Sequence, residues 1–151
     1  MITYQPEPWV TFRAEAQSLF RSHWEEIGVH RDIMPLDPDY DRYNELDRQG
    51  ALLVVTARSG EKMVGYIMYL FSKSLHYKGW MNGHVDIVYV APEYRRGGAG
   101  LKLMQIGDHT ARLHFNGKLA ITHHVKPDHD FSRLLTRMGY GVLETLYMRI
   151  M

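Results

Sequence analysis

The chain has 151 residues, a net charge of +1, no cysteine and 45% hydrophobic residues. This composition predicts a single globular domain over residues 1–151 and excludes a disulfide scaffold, a thiolate metal site and a cysteine nucleophile. Because the charge is nearly neutral, neither nucleic acid nor an anionic membrane is an expected partner. We expect a cytoplasmic protein, since the sequence shows neither an apolar run of about 18 residues nor a signal-peptide pattern.

The first half of the chain predicts a short strand, two helices and a hairpin. Apolar residues at helical spacing predict a long helix over Trp9–Ile27, after a first strand over Ile2–Gln5. A loop with two prolines separates it from a second, short helix around Tyr40–Leu46. Two Val- and Leu-rich segments, Ala51–Ala57 and Lys62–Phe71, are joined by a Ser-Gly turn and predict a β-hairpin.

The second half predicts strands that alternate with helices. In order, these are a loop over Ser72–Gly83, a strand over His84–Val90, a helix from Gly98 to Phe115, a strand over Lys118–Val125, a helix from Asp128 to Met138 with Asp128 as its N-cap, and a closing strand over Gly141–Ile150. Apolar strands with helical crossovers predict an α/β (α+β) fold. The closing strand is predicted to lie at a sheet edge, so we also predict a homodimer that covers this edge.

A glycine-rich loop joins the strand that ends at Val90 to the helix that follows. It reads Arg95-Arg96-Gly97-Gly98-Ala99-Gly100-Leu101. Backbone N–H groups that no Cβ obstructs, at the start of a helix, favour an anion such as a phosphate or pyrophosphate. A dinucleotide fingerprint fails because position 103 is leucine, and a P-loop fails because Gly-Lys-Ser/Thr is absent. The alternative is a turn that only connects strand to helix.

The pattern Arg95-x-x-Gly98-x-Gly100, after a strand and a Pro-Glu-Tyr turn, resembles the acyl-CoA pyrophosphate loop of GNAT N-acetyltransferases. The order of elements and the late Met138-Gly139-Tyr140 are also similar to that family, including small members encoded by bacteriophages. The resemblance implies a mixed, mostly antiparallel sheet with helices on both faces, and direct transfer of an acetyl group from acetyl-CoA to a primary amine of a small molecule or protein. It implies that the cosubstrate contacts Val88, Tyr89, Val90, Arg95, Arg96, Gly97, Gly98, Ala99, Gly100 and Leu101.

Acetyl transfer requires a neutral amine. For a lysine-like amine of pKa about 10.4, deprotonation at pH 7 costs about 4–5 kcal/mol. Asp86 is the leading candidate for the base, because a carboxylate is unusual in an apolar strand; alternation predicts that His84, Asp86, Val88 and Val90 share a face. His84 is the rival, since an imidazole titrates near neutral pH. The alternative for Asp86 is a structural role, with its carboxylate bonded to a nearby loop.

Leu135 departs from the family pattern, because many members have tyrosine there as general acid for the leaving thiolate. An aliphatic side chain cannot donate a proton, so the alternative function is a non-catalytic acyl-CoA-binding or host-interaction module on the same fold. A thiol of pKa about 8.5 leaves as thiolate at pH 7 with a penalty of only about 2 kcal/mol. Water, Tyr140 or a histidine is then the candidate proton source.

The nine histidines raise the question of a metal site, and the densest group is His123, His124 and His129. Strand alternation directs His123 and His124 to opposite faces, so no metal is expected. For the acceptor amine, the resemblance implies a position between the early helices and the loop Ser72–Gly83. That loop holds aromatic groups that can receive a cation, and its candidate residues are His76, Tyr77, Trp80 and Asn82.

Overall fold

The computed structural model describes residues 1–151 and contains one sheet of five strands. The strands are β1 (Ile2–Glu7), β2 (Leu52–Ser59), β3 (Lys62–Lys73), β4 (Trp80–Val90) and β5 (Lys118–His123). The helices are α1 (Trp9–Ile27), α2 (Tyr40–Arg48), α3 (Ala99–His114) and α4 (Ser132–Arg137). Strands β1 to β4 are antiparallel neighbours in chain order, and β5 lies parallel to β4. The predicted mixed, mostly antiparallel sheet is confirmed.

Helices cover both faces of the sheet, and each face has its own buried cluster. On one face α1 packs its apolar side, including Trp9 and Phe12, against β2 and β3, with α2 beside it. On the other face α3 contributes Leu103 and Met104, and α4 contributes Leu135. The sheet is therefore buried on both sides, as its apolar strands require. None of the helices combines the length and the apolar character needed to cross a membrane.

The helix α1 is attached to the sheet by an aromatic contact and by an ion pair. The Phe12 ring is fully buried and meets the edges of Tyr66 and Phe20 at centroid distances of 5.3 and 5.5 Å. Near the start of the helix, the Arg58 guanidinium of β2 binds both Glu7 and Glu15, with an Nη1–Oε2 distance of 2.9 Å to Glu15. These contacts fix the helix whose far end, near Ile27, approaches β4 and the segment after β5.

The β3–β4 connection is shorter than the sequence predicts. The predicted loop Ser72–Gly83 contains only about six residues outside the strands, because β3 continues to Lys73 and β4 begins at Trp80. Cross-strand pairs from Phe71–Gly83 to Lys73–Met81 extend the ladder. The mixed aromatic and polar composition suggested a loop, but backbone pairing with β3 on one side and β5 on the other holds these residues in a strand.

Two predictions for the C-terminal region are wrong. The helix α4 begins at Ser132 and not at Asp128, because the chain first turns at Lys126–His129, and the Asp130 carboxylate accepts the Ser132 N–H at 2.8 Å. The segment Gly141–Ile150 forms no strand, and most of its apolar side chains are exposed. No strand of the sheet pairs with this segment. The homodimer stays a prediction, but the edge strand from which it was inferred is absent.

The buried face of α1 gives the first testable prediction. Phe12→Ala removes a fully buried ring, and large-to-small changes of this kind cost about 3–5 kcal/mol. We expect urea denaturation to show a loss of this size in the free energy of unfolding. Val10→Ala is the matched control, because Val10 lies on the same helix and is 64% exposed; its loss should stay below about 0.5 kcal/mol. Equal losses in both variants would contradict the packing.

Candidate functional site

The distinctive feature of the sheet is that β4 loses its outer neighbour halfway along its length. The β4–β5 ladder runs from Trp80–Lys118 to Val85–His123 and then stops, while β4 continues to Val90. The Ala91 N–H donates to Val64 O of β3 at 2.8 Å. Because hydrogen-bonding directions alternate in an antiparallel pair, Val88 and Val90 direct their backbone groups to the open edge. Tyr89, predicted with them, directs its backbone groups to β3 and its ring towards α1.

A β-bulge at Asp86 corrects the predicted arrangement of side chains on β4. Met68 pairs with Ile87 and the next residue, Tyr69, pairs with Val85, so Asp86 has no partner on β3. The extra residue shifts the alternation. Val88 and Val90 therefore pack on the α3 side. Asp86 lies on the α2 side, where Tyr43 Oη donates to its carboxylate at 3.3 Å. The prediction that Val88 and Val90 share a face with Asp86 is wrong.

His84 is also on the α2 side and belongs to a small polar cluster. Its Nδ1 lies 3.2 Å from Thr122 Oγ1 on β5, and its ring centroid lies 4.3 Å from that of His124. Burial, together with the nearby His124, lowers the pKa of His84, and Asp86 partly opposes this shift. At neutral pH the His84 imidazole is therefore uncharged and able to accept a proton. The two candidate bases thus lie on the same side of β4, beside the point where β5 ends.

The glycine-rich loop consists of two short 3₁₀ turns, Pro92–Tyr94 and Arg96–Gly98, followed directly by α3. Gly97 and Gly98 have φ values of 78° and 81°, in the left-handed region that favours glycine. No side chain caps the N-terminus of α3, and its first turn holds no acidic residue. At Gly100 an added Cβ would meet no atom within 4 Å, so packing alone does not require glycine there. Free N–H groups and open space fit an anionic group.

Arg95 makes two contacts within the protein, and its predicted contact with the cosubstrate stays a prediction. Its Nε donates to Val90 O at 2.8 Å, and its guanidinium also pairs with Glu26 at the end of α1, with an Nη2–Oε2 distance of 2.5 Å. Arg95 therefore joins the loop to β4 and α1, and its charge is already matched by a carboxylate. Arg96, by contrast, is exposed and makes no ion pair, and it lies in the turn that precedes α3. Arg96 is thus the cation of the loop that remains free for an anion.

A cavity of about 310 Å³ opens beside Ile87, next to the bulge. It is bounded by the end of α1, the following loop, the start of α2, β4 and the segment after β5. The lining residues are Phe20, His23, Trp24, Ile27, Gly28, Pro35, Leu36, Asp37, Pro38, Tyr43, Ile87 and Lys126. No residue of Ser72–Gly83 is among them, and the contribution of that loop to an acceptor site stays a prediction. Trp80 instead lies at the other end of β4, with Lys118 Nζ 5.8 Å from its ring centroid.

His23 lines this cavity and was not singled out from the sequence. It is buried, with Nδ1 2.9 Å from Tyr66 Oη and its ring stacked on Tyr89 at 4.7 Å. Burial lowers its pKa to about 4; Glu26 opposes this shift, whereas Lys126 and Arg95 add to it. The sequence carries a signal for this residue: His23 follows Phe20 by three positions on the apolar side of α1, where a polar residue is unusual.

His123 lies on the opposite side of the sheet and has no hydrogen-bond partner. Both ring nitrogens are buried and unpaired, and the ring meets that of Tyr140 edge-on at 4.9 Å. Burial, with a contribution from His84, lowers its pKa to about 4. Buried polar groups normally find partners. His123 is the last residue of β5 paired with β4, so it lies where the two strands separate.

No three or more His, Asp or Glu side chains in the chain form a group that could hold a metal ion. As alternation predicts, His123 and His124 lie on opposite sides: His124 contacts His84, and His123 contacts Tyr140. The polar groups of the site are therefore organised around an open strand edge, a helix N-terminus and an apolar cavity. This combination offers backbone groups to an extended ligand along β4 and free amides to an anionic group at the start of α3.

The family follows from comparison with known proteins. The model of the acetyltransferase (GNAT) family matches residues 9–140, which is most of the chain. The chain therefore belongs to the GNAT acetyltransferase family. Curated protein sequences, compared individually with this chain, give no match.

Solved structures share the fold at low sequence identity. An aminoglycoside acetyltransferase from an uncultured soil metagenomic sample, in complex with sisomicin, has a TM-score of 0.70 at 14% identity, covering 99% of this chain and 94% of that one. An acetyltransferase from Trypanosoma brucei has a TM-score of 0.72 at 14% identity, with both chains covered completely, at 100%. A ribosomal-protein-alanine N-acetyltransferase from Brucella melitensis has a TM-score of 0.68 at 18% identity and the same 100% coverage. These likenesses show the fold.

The buried histidines give a prediction for pH dependence. In the unfolded chain a histidine has a pKa of about 6.5, whereas His23 and His123 have pKa values lowered to about 4. As the pH falls below 6.5, the unfolded chain therefore binds protons that the folded chain does not, and the free energy of unfolding should decrease until about pH 4. Above about pH 7 these groups should add no slope. Urea denaturation at a series of pH values measures the slope.

A matched pair of variants identifies the source of that slope. His23→Gln should make the slope between pH 6.5 and pH 4 shallower, because one of the histidines that contribute to it no longer titrates. His109→Gln, at an exposed position on α3, should leave the slope as it is. Nitrogen-detected NMR titration of the imidazoles provides a direct check. A His23 ring that protonates near pH 6.5 would overturn the assignment.

Proposed function

We propose that the protein transfers an acetyl group from acetyl-CoA to a primary amine by direct attack of the amine on the thioester. The observation that carries this proposal is the open edge of β4, which runs between the bulge at Asp86 and the glycine-rich loop. One end of this edge offers candidate bases and a cavity, and the other offers free amide groups for an anion. Membership of the GNAT family supports the same reading.

The residues proposed to bind acetyl-CoA lie along the open edge of β4 and in the glycine-rich loop. We propose that the backbone groups of Val88 and Val90 bind the extended arm of acetyl-CoA, and that the first amides of α3, from Ala99 to Leu101, bind its pyrophosphate. Arg96 adds a free positive charge, while Gly97 and Gly98 provide the left-handed turn that leads into the helix. Acetyl-CoA supplies an acetyl group activated as a thioester. Arg95 is proposed to position the loop, because its guanidinium donates both to Val90 O and to Glu26.

The acceptor amine is proposed to enter from the side of α1 and α2, where the cavity reaches Ile87. Asp86 is proposed to take the proton from the amine as it attacks, and the Tyr43 hydroxyl holds the carboxylate in place. His84, uncharged at neutral pH, is the rival base. In the balanced step the new N–C bond forms, the C–S bond breaks, the sulfur leaves as thiolate and the amine proton passes to the base.

No side chain of the site is a good general acid for the leaving thiolate. Leu135 is buried in the α3-side core and has no proton to give. Tyr140 Oη donates to Asp108 Oδ2 at 2.7 Å, and burial together with this bond raises its pKa, so it is a poor acid. Because a thiolate leaves at a cost of about 2 kcal/mol, water is sufficient as the proton source. The buried Leu135 also favours the second candidate function, a non-catalytic acyl-CoA-binding module.

The loop assignment is tested by Gly100→Val. Since a Cβ at this position meets no protein atom within 4 Å, the variant should fold normally, but its side chain occupies the space proposed for the pyrophosphate. We expect calorimetry to show that the affinity for CoA falls at least tenfold, or by about 1.4 kcal/mol. Gly117→Val is the matched control, because its Cβ also meets no atom and it lies beyond the other end of α3. Unchanged affinity in Gly100→Val would refute the loop assignment, and no binding to the wild type would refute the function.

The base is tested by Asp86→Asn, which keeps the hydrogen bond to Tyr43 but cannot accept a proton. General-base contributions are about 10²–10⁴-fold, so we expect kcat to fall at least about 100-fold with unchanged affinity for acetyl-CoA. The acidic limb of the pH–rate profile should disappear as well. His84→Gln should cost much less. The reverse order would assign the role to His84, and release of no free CoA thiol with any amine would favour the non-catalytic module.

A further inference from the structure

We propose that the acceptor is a primary amine with a single positive charge, carried on a small apolar body such as an aromatic ring, and that it binds in the cavity beside Ile87. This inference rests on the proposed function and specifies the substrate class of the same site. It follows from the walls of the cavity, from the loop that adjoins it and from its charges.

The walls of the cavity are largely apolar. Helix α1 contributes the Phe20 and Trp24 rings and the Ile27 side chain. The following loop contributes Pro35, Leu36 and Pro38, and β4 contributes Ile87. Such walls offer hydrophobic contact over most of the cavity surface and few hydrogen-bond partners for a hydroxyl-rich substrate. Small-molecule sites of this kind bind ligands whose body is apolar and whose few polar groups are placed at one end.

The loop that contributes to the cavity wall also exposes apolar side chains. The loop between α1 and α2 exposes four large apolar side chains, Val29, Ile33, Met34 and Leu36, with exposed fractions of 47%, 58%, 40% and 42%. In the same loop His30 has a φ of 52°, in the left-handed region that is unusual for a residue other than glycine. Leu36 lines the cavity, and Val29 and Met34 directly adjoin the lining residues Gly28 and Pro35 in the chain. Exposed apolar residues grouped beside a cavity are typical of binding surfaces.

The charges around the cavity suit one cation and not several. Asp37 is the only carboxylate in the lining, and Lys126 brings a positive charge. Lys126 Nζ donates to Ile27 O at 2.6 Å, which fixes that charge at the wall. Glu26, the nearest acidic residue of α1, is already paired with Arg95. A monocation can pair with Asp37, whereas a polycation would find no carboxylate of the lining for its other charges, which Lys126 would repel.

The same arrangement assists deprotonation of the substrate. An apolar cavity and a neighbouring ammonium group both disfavour the charged form of a bound amine. His23, whose pKa is lowered to about 4, adds no charge of its own at neutral pH. The favourable free energy of burying the apolar body of the amine thus offsets part of the free energy needed to deprotonate it. The base at Asp86 then completes the proton transfer, 3.3 Å from the Tyr43 hydroxyl that also lines the cavity.

The test is a panel of amines assayed for release of free CoA thiol from acetyl-CoA. Tryptamine and phenethylamine represent apolar monocations, spermidine and sisomicin represent polycations, and a short peptide with N-terminal alanine represents a protein acceptor. We expect kcat/KM for the apolar amines to exceed that for every other member at least tenfold. Calorimetry of each amine with the CoA-bound protein should give the same order of affinities, independently of turnover.

Leu36→Asp tests the cavity directly. A carboxylate in the apolar wall should raise KM for tryptamine at least tenfold, which is within the range that one hydrophobic contact provides. It should also improve the relative kcat/KM for spermidine, while the affinity for acetyl-CoA is unchanged. Leu113→Asp is the matched control, because Leu113 is 68% exposed on α3 and does not line the cavity. It should leave all values unchanged.

The outcomes separate the two proposals. If spermidine, sisomicin or the peptide is the best substrate, or if Leu36→Asp leaves tryptamine binding unchanged, the substrate class is wrong and acetyl transfer stands. If acetyl-CoA does not bind, or if no amine releases thiol, the proposed function fails. In that case calorimetry with tryptamine still decides whether the cavity takes an apolar amine.

Discussion

The parting of β4 from β5 after Val85 is the constraint on which the site depends. A strand in the interior of a sheet has both edges occupied, and it cannot bind a ligand through its backbone. Because β5 ends at His123, the last five residues of β4 keep one edge free. The bulge at Asp86 falls at the beginning of this free stretch. It places a carboxylate beside the edge, and bulges commonly have such a role in redirecting side chains near active sites.

The end of α1 closes the region on one side of the free edge. Lys126, just after β5, donates to the last carbonyl of the helix, and Arg95, just after β4, pairs with Glu26 of the same turn. These two contacts join both diverging segments to one helix end. The contact of Lys126 with Ile27 lies in the wall of the cavity beside Ile87, whose other walls are largely apolar.

The two sides of the sheet differ in how their polar groups are used. On the α3 side, Asp108 accepts hydrogen bonds from Tyr69 and Tyr140, at 2.8 and 2.7 Å, and this network is complete. His123 nearby is left without a partner, which is the exception in that region. On the α2 side, His84 and Thr122 form a pair just before β5 ends, and Asp86 follows at the start of the open edge. A completed network stabilises packing, whereas groups gathered at an open edge remain available for a ligand.

The sequence alone determined the family-level features, because they depend on local patterns. Helical spacing specified α1 and α3, the glycines specified the turn before α3, and the order of elements specified a sheet covered on both faces. It did not determine where β4 begins, the faces of Val88 and Val90, the late start of α4 or the missing strand at Gly141–Ile150. Each of these depends on which strand lies alongside, and a one-residue bulge reverses every later side chain. The cavity, the burial of His23 and the use of Arg95 by Glu26 likewise required tertiary structure, because they join residues far apart in sequence that only packing brings together.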